Sequence, residues 1–349
     1  MTRTTPPRPL DVEALFPELA AHRRTATRLH PRPGAPGVHD SSVGGPFLWP
    51  ADEPWPTCTE PHERGRGLRT EDIRRSRRIL DEAWRRDADP GPTQDERQLL
   101  QDLEKKARHA PRDPSGTTPV PLLALAQLHR RDLPDLAAGP DGADLLQILW
   151  CPFDRHGEGG YGMSVRFVWR RAEDVGEVLA DQPEPEVVGF EGYVPQACVL
   201  HPEQVTEYEY GELLPEELLE RIEEWEGDDD EGEGEGVDGG EGEGGGPGCD
   251  YQSDLSIAPG WKVGGFAPWN VTGPGTMTCA CGQPMHPLLT IASSEWDGGN
   301  RSWVPVEDRH LIGEHGSSTP TKVTVSRWGR LNVFACPVDP AHPPRISLQ

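Results

Sequence analysis

Cys279 and Cys281 stand one residue apart, and Cys336 is followed by His342. Cys58 with His62, and Cys151 with His156, form two further short pairs. Each set offers four soft or borderline ligands as two local pairs from distant segments. Tetrahedral zinc needs that arrangement, because two chelating pairs clip a loop to the end of a strand. The expected zinc ligands are therefore Cys279, Cys281, Cys336 and His342 in one set, and Cys58, His62, Cys151 and His156 in the other. Four protein ligands close the shell and leave no place for a water, so the role expected of the metal is structural. The spacing departs from the two intervening residues of a zinc ribbon, and Cys151 and Cys336 also suit small buried residues that end core strands. Seven cysteines are an odd number, a poor basis for a disulfide framework. Cys198 and Cys249 have no counterparts.

Little else in the chain has the form of catalytic machinery. Gly-x-Ser-x-Gly and His-Glu-x-x-His are both absent, and no nucleotide motif frames the glycine-rich run from Gly157 to Gly162. Glu295, Asp297, Glu307 and Asp308 lie near Trp296 and Trp303. Beside a bound metal such acids would suit a metal-dependent hydrolase, the alternative to a protein without enzymatic activity. Trp outnumbers Phe, 11 to 7, and Trp49, Trp55 and Trp269 sit among Gly, Pro and turns. Such indoles are either rigid anchors for an extended peptide or plugs that close the ends of sheets.

A repeat positions these residues. Val43-Gly44-Gly45-Pro46-Phe47 recurs as Val263-Gly264-Gly265-Phe266-Ala267-Pro268-Trp269. Pro121-Leu122-Leu123-Ala124-Leu125-Ala126 recurs as Pro287-Leu288-Leu289-Thr290-Ile291-Ala292, and the run Leu146 to Asp154 as Leu331 to Asp339. Three matches in one order point to internal duplication, and the repeat puts the cysteines in register. The blocks are short apolar runs bounded by Pro, Gly and Asp, the pattern of buried strands. Val165–Trp169 and Lys322–Ser326 alternate like half-exposed strands. Helical period is confined to about 70–86 and 93–108, with shorter stretches near 172–180 and 215–225. The expected fold is α+β, with duplicated, mainly antiparallel β halves and a charged helical insertion.

Gly44-Gly45-Pro46-Phe47-Leu48-Trp49-Pro50, Pro54-Trp55-Pro56, the Pro121–Leu128 run and Leu145–Leu149 resemble the YwqG family (DUF1963). Lys262–Gly265, Cys279 to Met285 and Leu288-Leu289 fit its second half. The family is similar in turn to the programmed cell death protein 2 family, dedicated chaperones of a small-subunit ribosomal protein. Its bacterial members often look like immunity or accessory genes. The resemblance implies a protein-binding role, chaperone-like or immunity-like, and assigns no catalytic residue.

The net charge of −25 is mostly local: Glu203 to Asp250 holds 20 acids and one base, leaving −6 for the rest. Within it, residues 227–248 are half glycine and otherwise largely acidic, the composition of a disordered spacer. Over Glu60–Asp113, 14 basic and 13 acidic residues cancel, which fits a solvated helical segment better than a nucleic-acid face. The expected organisation is an N-terminal extension 1–39, a first half 40–210 with its insertion at 60–113, a linker 211–250 and a second half 251–349. No transmembrane run and no secretory leader is apparent. These features suggest a cytoplasmic protein, monomeric, whose partner is a protein or extended peptide.

Overall fold

The computed structural model describes residues 2–60, 67–86, 90–107, 118–153, 156, 163–227 and 249–349. Residues 228–248 of the expected spacer, and His62, lie outside the described residues. The fold is mixed α and β, with mostly antiparallel open sheets and few helices.

Twelve strands form two six-stranded sheets. In chain order they are β1 (Arg23–Arg28), β2 (Arg32–Pro33), β3 (Ser42–Val43), β4 (Leu123–His129), β5 (Leu145–Trp150), β6 (Val165–Arg170), β7 (Cys198–Val199), β8 (Glu203–Tyr208), β9 (Lys262–Gly264), β10 (His286–Ala292), β11 (Arg330–Ala335) and β12 (Arg345–Leu348). One sheet has the order β2-β7-β3-β4-β5-β6 and the other β8-β1-β9-β10-β11-β12. Strand β5, apolar except for Gln147, is buried at every position, as a strand covered on both faces must be. Val43, Leu128, Ile148 and Trp150 of the first sheet share one core with Val263, Leu289, Ile291 and Val333 of the second.

The central strand pairs of the two sheets follow the same register. In the first, Leu123 faces Trp150 and Ala124 faces Leu149, Leu125 bulges out, and Ala126 faces Ile148. In the second, His286 faces Ala335 and Pro287 faces Phe334, Leu288 bulges out, and Leu289 faces Val333. Ala126 also lies opposite Val43, and Leu289 opposite Val263. Leu289 therefore answers to Ala126, three residues beyond the Leu123 that the sequence match aligns with it. Buried polar groups repeat as well. Gln147 Nε2 donates to Leu48 O at 3.0 Å, and Asn332 Nδ2 donates to Pro268 O at 2.8 Å.

Two short segments cross between the sheets. One runs from β1 to β2 and the other from β7 to β8; each is an inner strand in one sheet and an edge strand in the other. Where they cross, His201 N donates to Leu29 O at 2.9 Å.

The helices lie outside the sheets. Helix α1 (Thr70–Trp84) buries Ile73 and Ala83, and its Arg77 donates to the carbonyls of Val194, Glu191 and Lys322. At its start Thr70 Oγ1 donates to Pro185 O at 2.6 Å. Helix α2 (Gln94–Ala107) begins with a capping box: Glu96 N donates to Thr93 Oγ1 at 3.3 Å and Thr93 N to Glu96 Oε2 at 2.8 Å. Helix α3 (Glu216–Gly227) packs Leu218 and Ile222 against Phe16, Leu19 and Tyr251.

Two expectations fail locally. Around 172–180 only a single 3-10 turn forms, Ala172–Asp174. The alternating run Lys322–Ser326 joins no sheet: Lys322 (φ 53°) and Ser326 (φ 51°) are left-handed, and Val325 N donates to Ser293 Oγ. Its alternation is real, since Val323 and Val325 are buried, but Thr324 N bonds to the lone carbonyl of Gly192 and Val325 N to a side chain, so no ladder forms. Among the described residues no helix is long and apolar enough to cross a membrane.

Candidate metal centres

The turn after Thr278 brings the first pair of ligands together. Thr278 bridges Pro284, Cys279 N donates to Gln283 O at 2.8 Å, and Gly282 closes the turn with φ +84°, which glycine adopts without strain. Cys336 immediately follows β11. A turn in which His342 N donates to Asp339 O at 3.1 Å then swings the imidazole back.

The four side chains meet, with every ligand atom of Cys279, Cys281, Cys336 and His342 within 4.8 Å of the others. His342 Nδ1 lies 3.3 Å from Cys279 Sγ and 3.4 Å from Cys336 Sγ, and Cys281 Sγ lies 3.7 Å from Cys336 Sγ. Bonds of ~2.3 Å to sulfur and ~2.0 Å to nitrogen give tetrahedral edges of ~3.8 and ~3.5 Å. These side chains therefore fit a tetrahedral ion with a three-sulfur, one-nitrogen shell. The second ring nitrogen of His342 lies 3.5 Å from Asp339 Oδ2, the carboxylate backing that orients metal-bound imidazoles. The hydrogen bond from His342 draws the Cys336 thiol down to about 6.

The first sheet carries a similar place. Thr57 pairs with Pro121 as Thr278 does with Pro284, so Cys58 answers to Cys279. Cys151 follows β5 as Cys336 follows β11. Cys58, Cys151 and His156 are buried with their ligand atoms within 4.8 Å of one another, and Cys58 Sγ lies 3.4 Å from His156 Nε2. His62, the expected fourth ligand, lies outside the described residues. Both groups could hold a metal ion.

Aromatic clusters underlie both centres. Phe47, Trp49 and Trp55 pack with Cys58 and Cys151, and Trp269 and Phe334 with Cys279 and Cys336. Trp49 is 1% exposed, Trp55 9% and Trp269 6%, so Trp49 offers a partner no ring face. Trp55 and Trp269 instead reach the walls of two clefts. One, of about 250 Å³, is lined by Gly45, Pro46, Trp55, Leu123 and Ala124. The other, of about 360 Å³, is lined by Phe266, Trp269, Met277, His286 and Pro287. By the strand register above, His286 and Pro287 answer to Leu123 and Ala124, so the two clefts stand in corresponding places.

The four acids of the hydrolase alternative lie elsewhere. Glu295 is buried, accepts from Trp261 N at 3.1 Å and faces Arg32 and His30 at 4.0 Å; burial pushes its carboxyl up. Asp308 pairs with Arg3 and Arg32, Glu307 accepts from Thr4 N, and Asp297 accepts from Gly299 N. Among the described residues none of them joins a cysteine group.

No protein-family model matches this chain. No curated protein matches it either.

Sequence reasoning missed the buried polar centre where the segments cross. His30, fully buried with φ 43°, places Nε2 3.3 Å from Glu203, and Arg28, 1% exposed, donates to Thr5 Oγ1 and Trp303 O. A signal was present. Leu29-His30-Pro31-Arg32 recurs as Leu200-His201-Pro202-Glu203, and the register that sets Arg28 opposite Lys262 and Val199 opposite Ser42 gives these residues corresponding places.

Proposed function

We propose that this chain is a non-enzymatic protein-binding domain pair of the YwqG (DUF1963) type, duplicated, with structural zinc at its two Cys/His centres. The observation that carries the reading is the closed group of Cys279, Cys281, Cys336 and His342, which an ion would tie together with no position left for a substrate. Two supports for the duplication are independent of the motif matches, the shared bulge register and the two Leu-His-Pro segments, and the Gln147 and Asn332 bonds give one matched pair the same role. On this reading residues 60–113 are an insertion in the first half. There the chain between Cys58 and Val120 replaces the short turn between Cys279 and Gln283.

The binding surfaces would be the two corresponding clefts. The larger cleft offers Phe266, Trp269, Met277 and Met285, aromatic and Met walls that adapt to varied apolar side chains of an extended peptide, while the smaller sets Trp55 beside Arg74 and Glu184. The protein acts in the cytoplasm as a monomer, where its thiols stay reduced. Affinity capture from the native host tests the reading, with Leu213→Asp as the control. Leu213 lines the larger cleft and is 47% exposed, so the change leaves the core intact. A partner held by the native chain and lost by the variant is expected. Recovery of no partner, together with hydrolysis of a generic ester or phosphoester by the metal-loaded chain, overturns it.

A further inference from the structure

Away from both metal centres, a polar pocket of about 130 Å³ opens between the segment after Asp250 and the start of β11. Gln252, Ser253, Asn270, Asp297, Asn300 and Arg330 supply its polar walls. A cavity of about 150 Å³ is enough for benzene, so the pocket suits a small organic molecule.

Its donors outnumber its acceptors. The Arg330 guanidinium makes no hydrogen bond and no ion pair among the described residues, although burial lowers its hold on its proton. Arg330 is half-buried, so its unengaged guanidinium fork faces the pocket and can meet a carboxylate with both edges. Asn300 is 7% exposed and spends its Oδ1 on Asp297 N, which leaves its NH₂ group directed elsewhere. Asp297 spends Oδ1 on Gly299 N, and its other oxygen takes part in no hydrogen bond among the described residues. The pocket thus holds an unpaired cation, a spare amide donor and one spare carboxylate oxygen.

The surrounding backbone is unusual. Tyr251–Ser256, which carries Gln252 and Ser253, is a π-helical turn, a form that recurs at functional sites. The loop leading into Arg330 holds Ser326 and Trp328 at φ 51° and 65°, and Trp328 is 68% exposed. Left-handed non-glycine residues persist where the surrounding structure fixes them.

We infer that this pocket binds a small α-amino or α-hydroxy carboxylate. Its carboxylate pairs in fork geometry with Arg330 and takes the Asn300 amide, while its α-substituent donates to the free Asp297 oxygen. This site is separate from the clefts and the metal centres, so its fate and that of the protein-binding reading are independent.

Isothermal titration of the full chain with L-alanine, L-lactate, acetate and inorganic phosphate tests it. Saturable binding of L-alanine or L-lactate, tighter than acetate or phosphate, is expected. Arg330→Gln should weaken it by at least about tenfold, the scale of a charge-assisted pair. Because Arg330 opens a core strand, Asp297→Asn serves as a second, surface variant. It should lower the preference over acetate while leaving acetate affinity unchanged. The proposal is overturned by no saturable binding of either α-substituted acid, by phosphate binding equally well, or by binding that both variants leave intact.

Discussion

Lys262 Nζ lies 2.5 Å from Glu207 Oε1 and 2.7 Å from Oε2, and both side chains are wholly buried. Every hydrogen-bonding direction around the pair is used. Lys262 also donates to Phe266 O, and Glu207 accepts from Ala258 N and Phe266 N. The carboxylate therefore fixes the turn after Gly264-Gly265, from which Phe266 and Trp269 enter the larger cleft.

Removing one partner would leave a desolvated charge. Lys262→Met should lower stability by about 3–5 kcal/mol, the range for breaking a buried pair from one side. Urea unfolding followed by tryptophan fluorescence measures it. A loss below 1 kcal/mol, on the order of an exposed pair, would mean that water reaches the site.

The same turn makes a sharper contrast between two glycines. A Cβ on Gly265 (φ +65°) would stand 2.2 Å from Glu207 Oε2, whereas one on Gly142 (φ +77°) would meet nothing within 4 Å. Gly142→Ala carries only the left-handed backbone cost of about 1–2 kcal/mol, and Gly265→Ala must displace the buried carboxylate as well. Equal midpoints for the two variants in thermal unfolding would refute the packing account.

The strands that lead to the ligands were legible because β5 is buried at every position and β11 along its middle, so both read as short, mostly apolar runs. The ligand pairs were legible because each is local in sequence. Lys322–Ser326 misled, since alternation reports burial and not hydrogen bonding, and Val325 N is satisfied by Ser293 Oγ. The three-residue offset between Leu123 and Ala126 was hidden because Leu122–Ala126 and Leu288–Ala292 are almost wholly apolar, so the two runs match in more than one register. Arg28 and Lys262 were illegible because nothing local distinguishes a buried cation from a solvated one. Their partners come from far along the chain.

If a metal ties the C-terminal group, Cys336→Ser should lose one equivalent of bound metal and unfold at lower temperature. Structural zinc is worth roughly 10–16 kcal/mol in small metal-dependent folds, so even part of that coupling gives a plain shift. Cys198→Ser is the control, because Cys198 donates to Pro320 O and belongs to neither group. Elemental analysis of tag-free protein reads the stoichiometry, and cobalt substitution reads the thiolate ligands. Metal content near zero in native protein, with stability indifferent to chelator, would remove the centres from the account.

The crossing point makes stability depend on pH with a definite sign. Burial and the Arg28 and Arg32 charges lower the His30 imidazole from 6.5 to about 3. Its neighbours of opposite sign are Glu203, 3.3 Å away, and Glu295, 4.0 Å away. Below pH ~6.5 the unfolded chain takes a proton at His30 that the folded chain refuses, so stability falls as pH drops through this window toward 3. A single proton sets a slope of up to about 1.4 kcal/mol per pH unit. Glu203, drawn from 4.5 down to about 2 by its bonds to His30 and Thr5 against the opposing effect of burial, adds a loss of the same sign at lower pH. His30→Gln removes the upper part of the dependence and leaves only the share of the Glu203 part that rests on Thr5. Urea titrations at several pH values between about 7 and 5 should therefore show the native chain weakening faster than the variant. Metal loss in acid affects both chains alike, so the difference between their slopes isolates the imidazole. Parallel slopes would show that His30 takes up its proton in the folded state and that the crossing point is open to water.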